Sequence, residues 1–290
     1  MKPAPFAYHA PDQLDEVLAL LADGDREARV LAGGQSLVPM MNFRLAAPDV
    51  LVDLRRVDEL RHMRREGDIL SIAAGVRQSA LLREPFVREH WPLLAEGVRH
   101  IGHPQVRSRG TVCGSLAHHD PTAELPALAV ALDARMVIAS ASGRREMAAE
   151  DFFVSHYEVA LAPGEMLLEV RFPPCAAWSG WSFKELARRR GDFALVGVAA
   201  LVQASGDGTV SAARIVLCGV GERPFRARAA EDRLTGEGVS AEALEDAGRL
   251  VSEDGEPSDT IHASAEYKRE AAGVMTVRAL AQAWERANGG

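Results

Sequence analysis

The sequence predicts an α+β protein in two parts, and three observations carry that reading. Strand-like and helix-like segments alternate through residue 172. Pro173-Pro174 then interrupts the pattern and reads as a linker. Beyond it come three β-rich runs followed only by helices.

Taken in order, Pro11-Asp12 opens the first helix, with Asp12 as the expected N-cap. Leu14, Val17, Leu18 and Leu21 follow at helical spacing, and Gly24 ends the element. Residues 28–32 read as a short buried strand entering Gly33-Gly34-Gln35-Ser36, with a helix starting near Ser36 and Pro39 in its first turn. Residues 50–54 and 69–74 read as strands, 79–102 as helices and loops, and 123–132 as an apolar helix. Residues 135–139 and 166–172 read as strands, the latter after a hairpin-like turn at Pro163-Gly164. The second part has β-rich runs at 181–187, 194–204 and 210–216, the last two joined by Gly206-Asp207-Gly208. The final helix starts near Ser264, with Tyr267, Ala271, Val274, Val277, Ala281 and Trp284 forming its expected buried stripe.

Composition narrows the function. The 290 residues are 47% hydrophobic and 26% charged, enough to bury a sizeable core. A net charge of −8 argues against nucleic acid as the main partner, because phosphate backbones are held by clustered Lys and Arg. The three cysteines, Cys113, Cys175 and Cys218, form no CxxC pair, so neither a disulfide framework nor an iron–sulfur cluster on this chain is expected. They read as reduced thiols of a cytoplasmic protein. No apolar run is long enough for a signal-peptide core or a membrane span, so direct membrane insertion is not expected.

Two motifs offer chemistry. The first is Val30-Leu31-Ala32-Gly33-Gly34-Gln35-Ser36-Leu37, a strand running through two glycines into a helix. Glycine admits positive φ and close backbone approach, and successive N–H groups before a helix suit an anion such as a diphosphate. An ordinary strand-to-helix turn would use the same residues. The second is Thr111-Val112-Cys113-Gly114-Ser115-Leu116-Ala117-His118-His119-Asp120-Pro121-Thr122-Ala123-Glu124. Its small residues, hydroxyls and carboxylate suit a dinucleotide's phosphates and ribose, and two such turns could clamp one diphosphate. A surface turn capped near Thr122 is the plainer reading. His118 and His119 are read as turn residues near a nucleotide, since adjacent residues of an extended segment point apart and no metal site is expected. Lys184 with Arg188-Arg189-Arg190 could meet a flavin ring or phosphate, or simply face water. No Ser/His/Asp constellation is present, and no catalytic residue is assigned.

Together and in this order, Ala32-Gly33-Gly34-Gln35-Ser36-Leu37, Ile101-Gly102-His103-Pro104-Gln105-Val106-Arg107, residues 111–124 and Arg190-Gly191-Asp192-Phe193-Ala194 resemble one family over nearly the whole chain. It is the medium, FAD-binding subunit of the carbon monoxide dehydrogenase and xanthine dehydrogenase group of molybdenum hydroxylases. The resemblance implies a two-part FAD-binding domain of the vanillyl-alcohol-oxidase (PCMH) type over residues 1–175. A C-terminal α+β domain of three strands and helices would occupy 176–290. It implies FAD here, two [2Fe–2S] clusters on a small partner subunit, and a molybdopterin cofactor on a large one, in a dimer of heterotrimers. Electrons would pass from substrate at molybdenum through the clusters to FAD and on to an external acceptor. By the same resemblance residues 30–37 and Thr111, Val112, Cys113, Gly114 and Ser115 would hold the diphosphate. Ile101 would pack near the flavin, Glu124 would face the nucleotide, and Leu167 and Lys184 would lie at the isoalloxazine. One departure is Cys113, where the family has glycine; a positive φ there would oppose FAD binding, whereas a need for small size alone would not. The competing expectations are a self-sufficient flavin oxidase and a regulator that has lost the cofactor.

Overall fold

The structure, a computed structural model, describes residues 2–175 and 178–289. Its first layer is a small parallel sheet of β1 (Ala7–His9), β2 (Ala28–Leu31) and β3 (Val50–Asp53), with β3 central. The central strand, Val-Leu-Val-Asp, is buried along its whole length, as a strand covered on both faces must be. Helix α1 (Leu14–Leu21) seals this sheet with Leu14, Val17 and Leu18, and α2 (Leu37–Asn42) follows β2. The expected Asp12 cap is corrected here: the helix starts at Leu14 after Gln13, with no side-chain cap. Glu59 Oε1 instead accepts the Leu14 N–H at 3.2 Å, a partner 45 residues away that local sequence could not disclose. The helix closes at Ala22, before Gly24.

The second layer is an antiparallel sheet in the order β4-β5-β10-β6-β7. Its strands are β4 (Met63–Glu66), β5 (Ile69–Ala73), β6 (Arg135–Ser140), β7 (Gly143–Ala148) and β10 (Met166–Phe172), with a short hairpin of β8 (Phe153–Ser155) and β9 (Glu158–Val159) beside it. The crossing from β5 to β6 carries the helices α3 (Gln78–Arg83), α4 (Pro85–His90), α5 (Pro92–Val98), α6 (Pro104–Arg107), α7 (Val112–His118) and α8 (Glu124–Ala131); α9 (Ala149–Phe152) follows β7. Every residue of α8 is buried, which explains why it is apolar on all sides after its first residue, Glu124.

The third layer is the sheet β11-β12-β13-β14, formed by β11 (Gly180–Ala187), β12 (Ala194–Ala204), β13 (Val210–Cys218) and β14 (Phe225–Arg226). The two-residue β14 adds a fourth strand to the three read from sequence. One face of β12, with Val196, Val198, Ala200 and Val202, packs under α10 (Arg228–Leu234), α11 (Ala241–Asp254) and α12 (Ala265–Ala287). The other face, with Ala199 and Leu201, joins the core of the first 175 residues. Both faces are therefore covered, and a polar tie closes the seam. Arg286 Nη1 of α12 donates to Glu96 Oε2 at 2.6 Å and to the Trp181 carbonyl at 2.7 Å, while Glu96 Oε1 accepts the Phe183 N–H at 3.2 Å.

The stripe expected on α12 holds only in part: Ala271 is buried and Val277 and Trp284 are half-buried. Tyr267, Val274 and Ala281 face solvent, and the buried row runs through Lys268, Ala272, Met275, Thr276, Ala279 and Ala283. Close packing is the reason. A Cβ at Gly180 would overlap the Ala283 carbonyl, and Gly248 and Gly273 bring the α11 and α12 backbones together. A helix pressed this near its neighbours needs small residues at the contact, beside the buried Met275 and Leu280. Among the described residues, no helix is long and apolar enough to cross a membrane.

Candidate functional site

The site starts at the C-terminal end of β2. After Leu31 the chain passes through Ala32, Gly33 and Gly34, and α2 begins at Leu37 with Ser36 before it. Gly34 holds φ at 70°, where a side chain would be strained. Gly33 is required for space: a Cβ there would stand 2.5 Å from the Arg109 carbonyl oxygen and 2.7 Å from the Gly110 Cα. Among the described residues, no protein acceptor takes the N–H groups of residues 33–37. These N–H groups are strong donors left open to an acceptor from outside the chain.

The second turn lies against the first. Thr111 caps α7 through its Oγ1, which accepts the Gly114 N–H at 3.0 Å. A Cβ at Gly114 would sit 3.6 Å from the Ala32 Cβ, so the two glycine turns face each other at van der Waals range. Val112 and Cys113 point into the core, whereas Gly114, Ser115 and His118 are half-buried. Cys113 lies inside α7 with ordinary helical backbone, so its position demands small size and not positive φ. Its Sγ contacts the Ile72 carbonyl at 3.5 Å, and burial pushes the thiol far above its ordinary range. That removes the departure from the glycine pattern as an objection to cofactor binding.

His118 closes α7, and the left-handed His119 at φ 47° caps it, which corrects the extended backbone expected there. The His118 ring packs on Tyr157 and the His119 ring on Phe153, with centroids 5.1 and 4.7 Å apart. Both are held neutral chiefly by burial.

A second group of residues gathers where α5 and α8 meet β11. Ile101 is buried just after α5, and Arg107 Nη1 binds its carbonyl at 2.6 Å and that of Gly102 at 2.8 Å. Glu124, the first residue of α8, is buried beside Glu185 of β11. Burial pushes Glu124 up to about 7, and burial with the neighbouring Glu124 carboxylate pushes Glu185 up to about 8. Glu185 Oε2 has no hydrogen-bond partner among the described residues, and His100 Nδ1 stands 3.9 Å from it. Lys184 precedes Glu185 on β11 and is half-buried. Buried acids, a histidine and aliphatic surface thus gather along this seam. Leu167 is buried at a bulge in β10, the strand packed beneath α7. The loop after β11 folds back over the same region: Gly191, at φ 87°, leaves no room for a Cβ beside the His103 ring, and Phe193 is 73% exposed.

The two turns and Glu124 are named from the sequence, whereas Glu185, His100 and Glu96 are not. Each owes its place to tertiary contact across the seam, and no local pattern marks it.

The residues fit a flavin dinucleotide. The two glycine turns are in mutual contact, the N–H groups of residues 33–37 take no protein acceptor among the described residues and suit a diphosphate, and Glu185 carries a buried carboxylate oxygen with no hydrogen-bond partner among the described residues.

Residues 4–175 match the family described as the FAD binding domain in molybdopterin dehydrogenase, and residues 181–283 match the CO dehydrogenase flavoprotein C-terminal domain. The chain is 40% identical to the carbon monoxide dehydrogenase medium chain of Hydrogenophaga pseudoflava, covering 99% of each. It is 39% identical to the 6-hydroxypseudooxynicotine dehydrogenase complex subunit alpha of Paenarthrobacter nicotinovorans, covering 99% of this chain and 97% of that one. Among solved structures it superposes on a chain of quinoline 2-oxidoreductase from Pseudomonas putida 86 with a TM-score of 0.94, at 42% identity and 99% coverage of each.

Proposed function

The chain belongs to the family of FAD-binding subunits of molybdopterin dehydrogenases, and on that premise we propose that it carries electrons from a partner subunit through its FAD to an external acceptor. It is an oxidoreductase component, as its relatives are. Bound FAD supplies the redox chemistry, accepting electrons singly or in pairs. The protein's part is to bind, orient and tune.

In this reading Val30, Leu31, Ala32, Gly33, Gly34, Gln35, Ser36 and Leu37 hold the diphosphate from one side. Thr111, Val112, Cys113, Gly114 and Ser115 hold it from the other. On the first side the free backbone N–H groups of residues 33–37 do this work; on the second, where the Val112, Gly114 and Ser115 N–H groups are already bonded within the chain, the hydroxyls of Thr111 and Ser115 are the donors. His118 borders the nucleotide. Ile101 packs against the flavin, while Glu124 and Lys184 set the charge and hydrogen bonding at its polar edge; Leu167 lies on the apolar side. The chain divides near residue 175 into the FAD-binding domain and a C-terminal domain that completes the flavin pocket.

The [2Fe–2S] clusters belong to a small partner subunit and the molybdopterin cofactor to a large one, in a dimer of heterotrimers acting in the cytoplasm. Substrate is then chosen by the large subunit, and this chain turns over no substrate alone. One observation carries the reading: two glycine turns in mutual contact, the first of them with N–H groups that no protein acceptor takes among the described residues. The test is anaerobic. The isolated FAD-loaded chain should stay oxidised with substrates of the complex, whereas the intact complex should bleach its flavin. Bleaching of the isolated chain would establish a self-sufficient flavin enzyme instead.

A further inference from the structure

A cavity of about 340 Å³ opens where the first 175 residues meet the third sheet. It lies at the end of the antiparallel sheet remote from the glycine turns. Asp68, just before β5, lines it, and so do Pro174 and Cys175, just after β10. Beyond the other end of β5 stands Val76, whose carbonyl accepts the Val112 N–H of the second turn at 3.1 Å. The five residues of β5, about 17 Å at roughly 3.4 Å each, therefore lie between the cavity and the cradle. None of the residues assigned above to FAD lines it.

Three of the chain's four tryptophans, Trp91, Trp178 and Trp181, form its walls beside the buried Leu93 and Leu201. Each ring is held from outside the cavity. Trp91 Nε1 donates to the Pro173 carbonyl at 2.7 Å. The Arg214 guanidinium stands over the Trp178 ring at 5.9 Å and that of Arg286 over the Trp181 ring at 5.2 Å, and neither arginine lines the cavity. Fixed aromatic walls around a hollow of this size suit a planar ring, since the walls lose little freedom when one enters.

The rim supplies charge. Arg65 is spent on Asp68 at 2.9 Å, the Gly67 carbonyl at 2.8 Å and His90 Nε2 at 2.7 Å. A guanidinium only donates, so His90 Nε2 is the acceptor and that ring is neutral. Of the two rim carboxylates, Asp68 is thus taken, and the Glu89 side chain is 72% exposed to water. Arg88 has no carboxylate within ion-pairing distance among the described residues. A guanidinium fork matches the two oxygens of a carboxylate.

We propose that this tryptophan-walled cavity is a second ligand site, binding a planar aromatic carboxylate apart from the dinucleotide of the glycine turns. The ring lies among Trp91, Trp178 and Trp181, and Arg88 holds the carboxylate at the rim.

The experiment titrates 2-naphthoate, neutral 2-naphthol and cyclohexanecarboxylate separately into the full FAD-saturated chain at neutral pH, reading heat while the flavin absorbance is followed. The expected result is one site for 2-naphthoate, at least roughly tenfold tighter than for either of the others, with flavin absorbance unchanged. Arg88→Gln should bring 2-naphthoate down to the level of 2-naphthol and leave 2-naphthol as it was. Trp178→Leu should weaken both naphthalenes roughly fivefold. Arg88 is exposed, so Arg88→Gln keeps the test valid if Trp178→Leu disturbs the fold. Four results overturn the proposal. The first is no heat from 2-naphthoate at millimolar concentration, and the second is 2-naphthoate binding that Arg88→Gln leaves unchanged. The third is displacement of FAD, which would make the cavity part of the cofactor site. The fourth is loss of 2-naphthoate binding in the complex assembled with its partners, which would assign the cavity to a subunit interface.

Discussion

Replacing Glu185 with glutamine should make the protein more resistant to alkaline pH. Glu124 and Glu185 face each other in a buried seam, with Asp120, Arg107, His100 and the Cys218 thiol around them. Burial raises Glu124 from 4.5 to about 7 and Glu185 to about 8. Both folded values lie above the unfolded ones, so unfolding releases protons that the fold retains. The stabilising effect is therefore complete below pH 4.5 and is lost as pH rises through 7 to 8. Taking only the smaller displacement, from 4.5 to about 7, the ionised state costs about 3 kcal/mol in the fold. Glutamine at 185 cannot ionise, and its amide can donate to Glu124, so most of that cost disappears. At roughly 2–4 °C per kcal/mol for a chain of this size, the variant should unfold about 6 °C or more above the wild type at pH 9. At pH 4, where both acids are protonated in the folded and the unfolded chain alike, the two should melt together to within a couple of degrees. Thermal unfolding by circular dichroism between these limits is the assay. Parallel wild-type and variant curves across the range would refute the shared-proton account of this pair.

Three other substitutions test separate joints. Gly33→Ala puts a Cβ against the Arg109 carbonyl, which is backbone and cannot swing away; overpacking of about 1–3 kcal/mol should weaken FAD at least roughly tenfold, read from the flavin absorbance at equal protein. Cys113→Gly should keep FAD and lose about 1 kcal/mol of stability in urea, because glycine is costly inside a helix and the thiol packs in the core; in the native wild type, Cys113 should resist iodoacetamide at pH 7. Arg286→Ala leaves Glu96 and the Trp181 carbonyl without their donor and should cost about 1–3 kcal/mol, seen as a lower urea midpoint.

Much of this architecture is legible in the residues. The run 166–172 reads as a strand and is one, because Met-Leu-Leu-Glu-Val-Arg-Phe sits between two strands with both faces covered. Residues 194–204 are read to their ends for the same reason. The missed strands are those whose burial is thin: β7 is Gly-Arg-Arg-Glu-Met-Ala and largely exposed, so no hydrophobic alternation marks it, and β1 is only three residues long. The α12 stripe misleads because helix faces are usually ranked by side-chain size, and here the tightest contact selects alanine and glycine. In the site, the glycine turns are visible because backbone demands leave residue-type signatures. Glu185 and His100 are not, since any half-buried strand or helix end can hold an acid or a histidine until the fold sets them 3.9 Å apart.

The most direct test of the central claim is the cofactor content of the native complex. Purified with its partners, the protein should show a flavin spectrum, and denaturation should release one FAD per copy of this chain. Gly33→Ala, assembled in the same way, should release far less. A complex that assembles fully yet releases no FAD would contradict the account, whatever its fold.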